Sequence, residues 1–321
     1  MTLLICIQLI GCRQQVSTAS NIVQESPEIA VDGPLENSSD TSTEASIIDN
    51  PQALENRWIV NANEAQQLIE QGATVLDARG GLFVKRLPGA TIVDWRDFSS
   101  TEAVLRGTLI TNDTVLSQKI QDLGVSNEKP VVVFGNPPSG WGEEGRIVWM
   151  LRSLGHTQAV MVDGGIQAMS EAGITIPSVT PATMTFTIER NRDWSIQKNQ
   201  LKTQLASDNL IVIDSREPRE FSGSTPYGEQ RGGHIPGAVN LYFKDLLDAD
   251  GKLLPKQTLL NRFESLDITP ETTIVVYCTG GIRSGWLAAV LISLGLPAQN
   301  YAGSMWEWSA SPADEYPLER Q

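Results

Sequence analysis

The residues with the clearest chemical potential lie in the stretch VVYCTGGIRSGW, from Val275 to Trp286. An apolar, β-branched run ends at Cys278, and a glycine-rich turn, Arg283 and a segment with helical spacing follow. The thiolate is the reactive form of cysteine, and helix N-termini and neighbouring cations favour it. The pattern therefore predicts a nucleophilic thiol at the end of a strand.

The turn that follows this cysteine is suited to holding an anion. Its glycines permit the positive φ angles at which successive N–H groups converge on one point. The helix predicted to begin near Arg283 or Ser284 directs the positive end of its dipole to the same place. We predict that the loop stabilises a thiolate or persulfide and binds an anionic donor. Its residues are Thr279, Gly280, Gly281, Ile282, Arg283 and Ser284.

The spacing between Cys278 and Arg283 distinguishes two kinds of chemistry. Cysteine-dependent phosphatases use Cys-x5-Arg, which is one residue longer than the Cys-x4-Arg spacing here. The longer loop can wrap a tetrahedral phosphate, whereas the shorter loop is better sized for one sulfur atom attached to the cysteine. The spacing therefore favours sulfur transfer over phosphate or arsenate chemistry.

The chain contains one unit twice. VLDARG at 75–80 is echoed by VIDSRE at 212–217, VVVFGN at 131–136 by IVVYCT at 274–279, and further echoes keep the same order. Ordered repetition of this kind indicates a duplicated domain. The first copy has Gly135 where the second has Cys278, and its longer loop carries Glu143 and Glu144. The first copy therefore has no nucleophile at this position.

Each copy alternates short apolar runs with helix-like segments, which predicts an α/β fold with a mainly parallel sheet and helices on both faces. Ligands of such sheets bind at the carboxyl ends of the strands, where Cys278 is expected. The predicted boundaries are a signal segment at 1–12, a disordered tether at 13–54, domains at 55–176 and 194–312, a linker at 177–193 and a tail at 313–321.

The N-terminal sequence MTLLICIQLIGC resembles the end of a bacterial lipoprotein signal peptide, Leu-x-small-Cys. On this interpretation Cys12 is lipidated and the protein is exported to the cell envelope. The basic segment that normally begins such a signal is missing. The alternative is an ordinary apolar terminus on a cytoplasmic protein.

Composition limits the classes of function. A formal net charge of −14 and a pI of about 4.6 argue against nucleic-acid binding, which needs a basic surface. Beyond residue 12 the only cysteine is Cys278, so neither an internal disulfide nor a structural zinc site is expected there. The two histidines, His156 and His234, are far apart in sequence. We predict no metal and no organic cofactor.

The motifs identify a family resemblance that covers most of the chain. GGHIPGAVNL at 232–241, Asp214-x-Arg216, YCTGGIRS at 277–284 and YAGSMWEW at 301–308 resemble the rhodanese domain. The tandem arrangement is similar to that of thiosulfate and 3-mercaptopyruvate sulfurtransferases. The resemblance implies two tandem rhodanese-like domains, of which the first is structural. It also implies that Cys278 carries sulfur from one of these donors to cyanide or a thiol.

Three further residues are candidates for supporting roles. Asp214 and Arg216 are expected to form an ion pair that holds the loop, because Asp77 and Arg79 repeat the pair in the copy that lacks the cysteine. Arg231 either lines the cleft and attracts an anionic donor or is a solvated loop charge.

Two other functions stay open at this stage. The tether and the inactive first copy also suit a protein that carries or senses persulfide sulfur, or docks a partner, without turnover. A phosphatase is disfavoured by the loop length.

Overall fold

The computed structural model describes residues 54–80, 86–177 and 184–320. These residues belong to one compact unit. The predicted signal segment with Cys12, nearly all of the predicted tether and part of the predicted linker lie outside them. The predicted domain boundaries stay a prediction. In the described part of the chain no helix is long and apolar enough to cross a membrane.

The first copy forms a five-stranded sheet in the order β1-β5-β4-β2-β3, in which every paired strand runs parallel. Its strands are β1 (Ile59–Val60), β2 (Thr74–Asp77), β3 (Thr91–Ile92), β4 (Val131–Phe134) and β5 (Ala159–Val162). Its helices are α1 (Ala62–Glu70), α2 (Asp113–Asp122), α3 (Glu143–Ser153) and α4 (Gly165–Glu171), with a 3-10 helix at Trp95–Phe98.

The second copy forms a four-stranded parallel sheet in the order β7-β6-β8-β9. Its strands are β6 (Leu210–Asp214), β7 (Val239–Asn240), β8 (Thr273–Tyr277) and β9 (Ala298–Asn300). Its helices are α5 (Lys198–Gln204), α6 (Pro218–Phe221), α7 (Lys256–Glu264), α8 (Ile282–Ser293) and α9 (Ser304–Trp308), with a 3-10 helix at Phe243–Leu246. Two parallel sheets with their helices confirm the predicted fold class.

The central strands and the helices that follow them are apolar because they are covered on both sides. All four residues of β4 are buried, as are the last four of β8. Helix α8 is also buried over its first ten residues, since it packs against its own sheet and against the first half. Helix α8 begins at Ile282, one residue before the predicted start, because Gly281 adopts the left-handed conformation with φ 84° and ends the loop.

The two halves meet where α3 packs against α8. A Cβ atom added at Gly145 would collide with the backbone of Trp286, so only glycine allows the helices to approach this closely. On the facing helix, Gly285 lies against the backbone of Arg146. This close crossing places the N-terminal turn of α3 beside the cysteine loop of the second half.

Candidate active site

Cys278 directly follows β8, at the carboxyl end of the strand, as the sequence predicts. Its side chain is buried, with 1% of its surface exposed, and it is a free thiol. The backbone N–H of Gly281 donates to Cys278 Sγ over 3.1 Å. The backbone N–H of Cys278 donates to Ser304 Oγ over 3.1 Å, which fixes the start of the loop.

The loop is held from the outside by α9. The N–H of Met305 donates to the carbonyl oxygen of Cys278 over 3.2 Å, and the N–H of Trp306 donates to that of Thr279 over 2.9 Å. The ring of Trp306 lies so close to Gly280 that a Cβ atom there would collide with it. The glycine at position 280 is therefore required by a neighbouring ring, which sequence spacing could not show.

The surroundings of the thiol favour its anionic form. Burial opposes that form, but the charge of Arg283, the hydroxyl of Ser284 and the backbone N–H groups of Ser284 and Gly280 outweigh it. The net result is that the pKa of Cys278 lies below its ordinary value. This agrees with the predicted convergence of amides and a cation on one sulfur atom.

Arg283 is not an isolated cation. Its guanidinium donates to both carboxylate oxygens of Glu220, over 2.6 and 2.9 Å, and Glu220 is fully buried. The hydroxyl of Thr279, in the predicted anion-binding loop, donates to Glu220 over 2.9 Å and lies 3.3 Å from Glu229. Its oxygen accepts from Arg283 over 2.6 Å. The arginine is therefore held rigidly, and both Glu220 and the thiolate of Cys278 stabilise its charge.

Glu220 and Glu229 are site residues that sequence reasoning missed. Glu220 follows Glu217 at capping-box spacing, and the two do form a capping box at the start of α6. That pattern indicates a helix start, but not a contact with an arginine 63 residues further along the chain.

Ser284 lies within reach of the sulfur. Its hydroxyl is 3.5 Å from Cys278 Sγ and 2.7 Å from Oδ1 of Asn300, so one hydrogen serves two acceptors in turn. Asn300 also donates to the carbonyl oxygen of Gly281 over 3.2 Å. Ile282 forms part of the wall above the thiol.

A cleft of about 170 Å³ opens over Cys278 and is lined by both halves of the molecule. The first half contributes Trp95, Arg96, Trp141 and Glu143, and the second half contributes Tyr227 and Trp306. The sequence did not predict the residues of the first half as cleft residues, since nothing local connects them with the cysteine. The mouth of the cleft is mainly aromatic.

The supporting candidates have structural roles. Asp214 and Arg216 form a fully buried ion pair at 2.6 Å, and Arg216 also donates to the carbonyl oxygen of Gly233. Asp77 and Arg79 form the matching pair in the first half at 2.7 Å.

Arg231 is neither a cleft residue nor a solvated charge. It donates to four backbone carbonyl groups near the C-terminus, over 2.8 to 3.0 Å, and therefore anchors that segment. The four carbonyl groups belong to Trp308, Ser309, Ser311 and Tyr316. The suggested interaction of Arg231 with a donor has no support in this placement.

The equivalent site in the first half is filled by its own chain. A Cβ atom at Gly135 would collide with the carboxylate of Glu144, which is 1% exposed. Within the described residues neither carboxylate oxygen of Glu144 makes a hydrogen bond. Burial, and then the charge of Glu143, raise the pKa of Glu144 to about 8. Within residues 54–80, 86–177 and 184–320 no group of His, Cys, Asp and Glu side chains is arranged to hold a metal ion.

Comparison with known proteins agrees with this arrangement. The model of the rhodanese-like domain matches residues 197–311. Thiosulfate sulfurtransferase from Azotobacter vinelandii is 28% identical over 70% of this chain and 83% of its own length. The sulfur carrier protein TtuD from Thermus thermophilus is 30% identical over 69% of this chain and 81% of its own.

A solved structure shows the same fold. The anaerobic ergothioneine biosynthesis enzyme from Chlorobium limicola, in complex with trimethyl histidine, superposes with a TM-score of 0.71 at 20% identity. The match covers 83% of this chain and 70% of that chain. Two parallel sheets, a cysteine loop at the end of the central strand of one of them and these relatives define a tandem rhodanese architecture. The chain belongs to the rhodanese superfamily.

Proposed function

We propose that the protein is a sulfurtransferase that moves sulfane sulfur from a small donor to a thiophilic acceptor through a persulfide on Cys278. The donors we propose are thiosulfate or 3-mercaptopyruvate, and the acceptor is cyanide in an assay or a thiol in the cell. The observation that carries the proposal is the N–H of Gly281 on Cys278 Sγ at 3.1 Å, in surroundings that lower the pKa of the thiol.

The proposed reaction has two steps. The Cys278 thiolate attacks the outer sulfur of thiosulfate, so that a new S–S bond forms while the bond to the inner sulfur breaks and sulfite leaves. The negative charge of the resulting persulfide lies where the loop amides converge. Cyanide then attacks the outer sulfur, thiocyanate leaves and the thiolate is restored.

The experiment is steady-state kinetics with thiosulfate and 3-mercaptopyruvate side by side, together with intact-mass spectrometry after exposure to each donor. We expect a mass increase of one sulfur atom that cyanide reverses. Cys278→Ser should abolish both, whereas the matched control Cys6→Ser/Cys12→Ser, which removes the other two thiols, should retain both. Unimpaired turnover in Cys278→Ser would contradict the proposal.

A carrier of persulfide sulfur is the second candidate, supported by the relative named a sulfur carrier protein. Carrier and enzyme differ in the second step. A persulfide that forms with thiosulfate but resists cyanide, and yields its sulfur only to a protein thiol, would favour the carrier.

The proposed location is the cell envelope, with lipid on Cys12. It rests on the LIGC sequence that ends at residue 12. Labelling with a palmitate analogue tests it, since Cys12→Ser should remove the label while Cys6→Ser keeps it. Label that persists in Cys12→Ser would contradict the proposal.

A further inference from the structure

A buried arginine of the inactive half lies directly beneath the cysteine loop. Arg146, in the first turns of α3, is 1% exposed. Its guanidinium donates to the carbonyl oxygen of Gly281 over 3.2 Å and to that of Gly107 over 2.8 Å. Gly281 is also the residue whose N–H donates to Cys278 Sγ. The first half thus holds, at its carbonyl group, the residue whose N–H contacts the thiol.

The charge of Arg146 is not compensated by a carboxylate. Among the ion pairs of the described residues, Arg283 is matched by Glu220 at 2.6 Å, whereas Arg146 is in none. The carboxylate of Glu220 weakens the field that Arg283 exerts on a third group, although Arg283 still favours the thiolate of Cys278. Arg146 therefore adds to Arg283 a second positive charge near the thiol, one that no carboxylate of the described residues pairs with.

A buried cation bonded only to carbonyl groups is costly unless an anion lies nearby. Burial lowers the pKa of Arg146 to about 9, and the negative charge of Cys278 acts in the opposite direction. The side chain is thus cationic at neutral pH. The Trp149 ring stacks on the guanidinium at 4.5 Å, and a thiolate or persulfide on Cys278 is an anion that would compensate the charge.

We propose that Arg146 is a positioning residue of the active site, through which the inactive half stabilises the anionic forms of Cys278. It acts by holding the carbonyl group of Gly281 and by its charge. This inference rests on the proposed function, since it assigns a role in forming and keeping the persulfide. The first half would then contribute a positive charge to the active site, in addition to the residues with which it lines the cleft.

Other charged and titratable groups also face the loop and must stay unchanged in the test. They are Arg283, Glu220, Tyr227 and Glu229 from the second half, Arg96, Arg106 and Glu143 from the first half, and the Asp214–Arg216 pair behind Glu220. A substitution at Arg146 alters none of them directly.

The test is the pH dependence of alkylation of Cys278 by iodoacetamide, followed by mass spectrometry. Arg146→Met should move the midpoint upward by about one pH unit or more, as expected for loss of a nearby opposite charge. Arg146→Lys keeps the charge and should move it by less than half as much. The persulfide formed from thiosulfate should also decay faster in Arg146→Met.

Arg152 provides a matched control on the same helix. It is also buried, its pKa is also lowered to about 9 by burial, and it donates to backbone carbonyl groups at 2.6 to 2.9 Å. Arg152→Met should lower thermal stability while leaving the alkylation midpoint unchanged. If the role of Arg146 were purely structural, Arg146→Met would likewise lower thermal stability and leave the alkylation midpoint unchanged.

An unchanged midpoint in folded Arg146→Met would overturn the inference. If that variant does not fold, Arg146→Lys decides, because a shift of about one unit with the charge retained would also overturn it. Wild-type protein that forms no persulfide would contradict the proposed function instead, and the alkylation midpoints would still establish whether Arg146 lowers the pKa of the thiol.

Discussion

The loops that follow β4 and β8 show how one scaffold is built without and with a thiol. Both end in a glycine with left-handed backbone, Gly142 with φ 80° and Gly281 with φ 84°, and both lead into a buried helix. The second residue of that helix is Glu144 in one half and Arg283 in the other. A buried carboxyl group and an arginine at equivalent positions show that the loop after β4 differs from the loop after β8 in more than the missing cysteine.

The arginine and the glutamate also differ in their partners. Arg283 is bound by Glu220 at 2.6 Å, so its charge is satisfied and its position is fixed. Glu144 makes no hydrogen bond within the described residues and occupies the space that a side chain at position 135 would need. The first half thus closes its loop with its own carboxylate.

Moving the thiol between the halves gives the largest expected effect. In Cys278→Ser/Gly135→Cys, sulfur transfer should fall to background, because the new side chain collides with Glu144 in a loop without a cation at the Arg283 position. Overpacking should also destabilise the fold by about 1–3 kcal/mol. Donor-dependent sulfite release measures the activity. Substantial transfer through position 135 would show that the halves differ less than proposed.

Breaking the pair in the active half should be nearly as damaging. Glu220→Gln leaves the Arg283 guanidinium buried without its carboxylate, at a cost of about 3–5 kcal/mol of unfolding free energy. Chemical denaturation measures the change. The control is Glu217→Gln, which removes the partner of the half-exposed Arg219 and should cost at most about 1 kcal/mol. Equal losses of unfolding free energy in the two variants would contradict the distinction between a buried and an exposed ion pair.

Neutralising the carboxylate of the inactive half should stabilise the protein. The pKa of Glu144 is raised to about 8 in the folded state, so the stability that its protonated form contributes is present below pH 4.5 and is lost as pH rises towards 8. Glu144→Gln should therefore gain roughly 3–5 kcal/mol at pH 9 and almost nothing at pH 4. Denaturation at both pH values measures this, with exposed Glu171→Gln as control. A gain independent of pH would exclude titration as the cause.

The smallest expected effect concerns the wall that the first half contributes to the cleft. Arg96, with 67% of its side chain exposed, lines the cleft and pairs with Asp94 at 3.2 Å. Arg96→Ala should raise the KM for thiosulfate about 2–3-fold and leave kcat and stability nearly unchanged, since exposed charges are screened. Exposed Arg190→Ala, outside the cleft, should change neither constant. A fall in kcat without a change in KM would contradict this prediction and indicate that Arg96 acts in the chemical step.

Local sequence features predicted the parts of the site that local structure determines. The strand, the cysteine at its end, the glycines and the helix are adjacent in sequence, so their spacing fixed their arrangement. The alternation of apolar runs and helix-like segments in each copy likewise made the parallel sheets predictable. The start of α8 differed by one residue because a left-handed glycine at position 281 serves as its N-cap.

The parts that were missed are formed by contacts distant in sequence. Arg283 meets Glu220 across 63 residues, and Gly281 meets Arg146 across 135. Arg231 was predicted to be either a cleft residue or a solvated loop charge, but its guanidinium donates to carbonyl groups about 80 residues away. No local pattern specifies which distant partner satisfies a buried charge.

The close crossing of α3 and α8 also has a genetic consequence. Because Gly145 lies against Trp286, a larger residue in the inactive half should push on the helix that begins at the cysteine loop. A selection for restored sulfur transfer in Gly145→Ala should therefore recover mainly true revertants to glycine, because a smaller side chain at position 286 leaves the colliding Cα atom in place. Selection for sulfur transfer would then constrain the sequence of both copies, although only one of them carries the thiol.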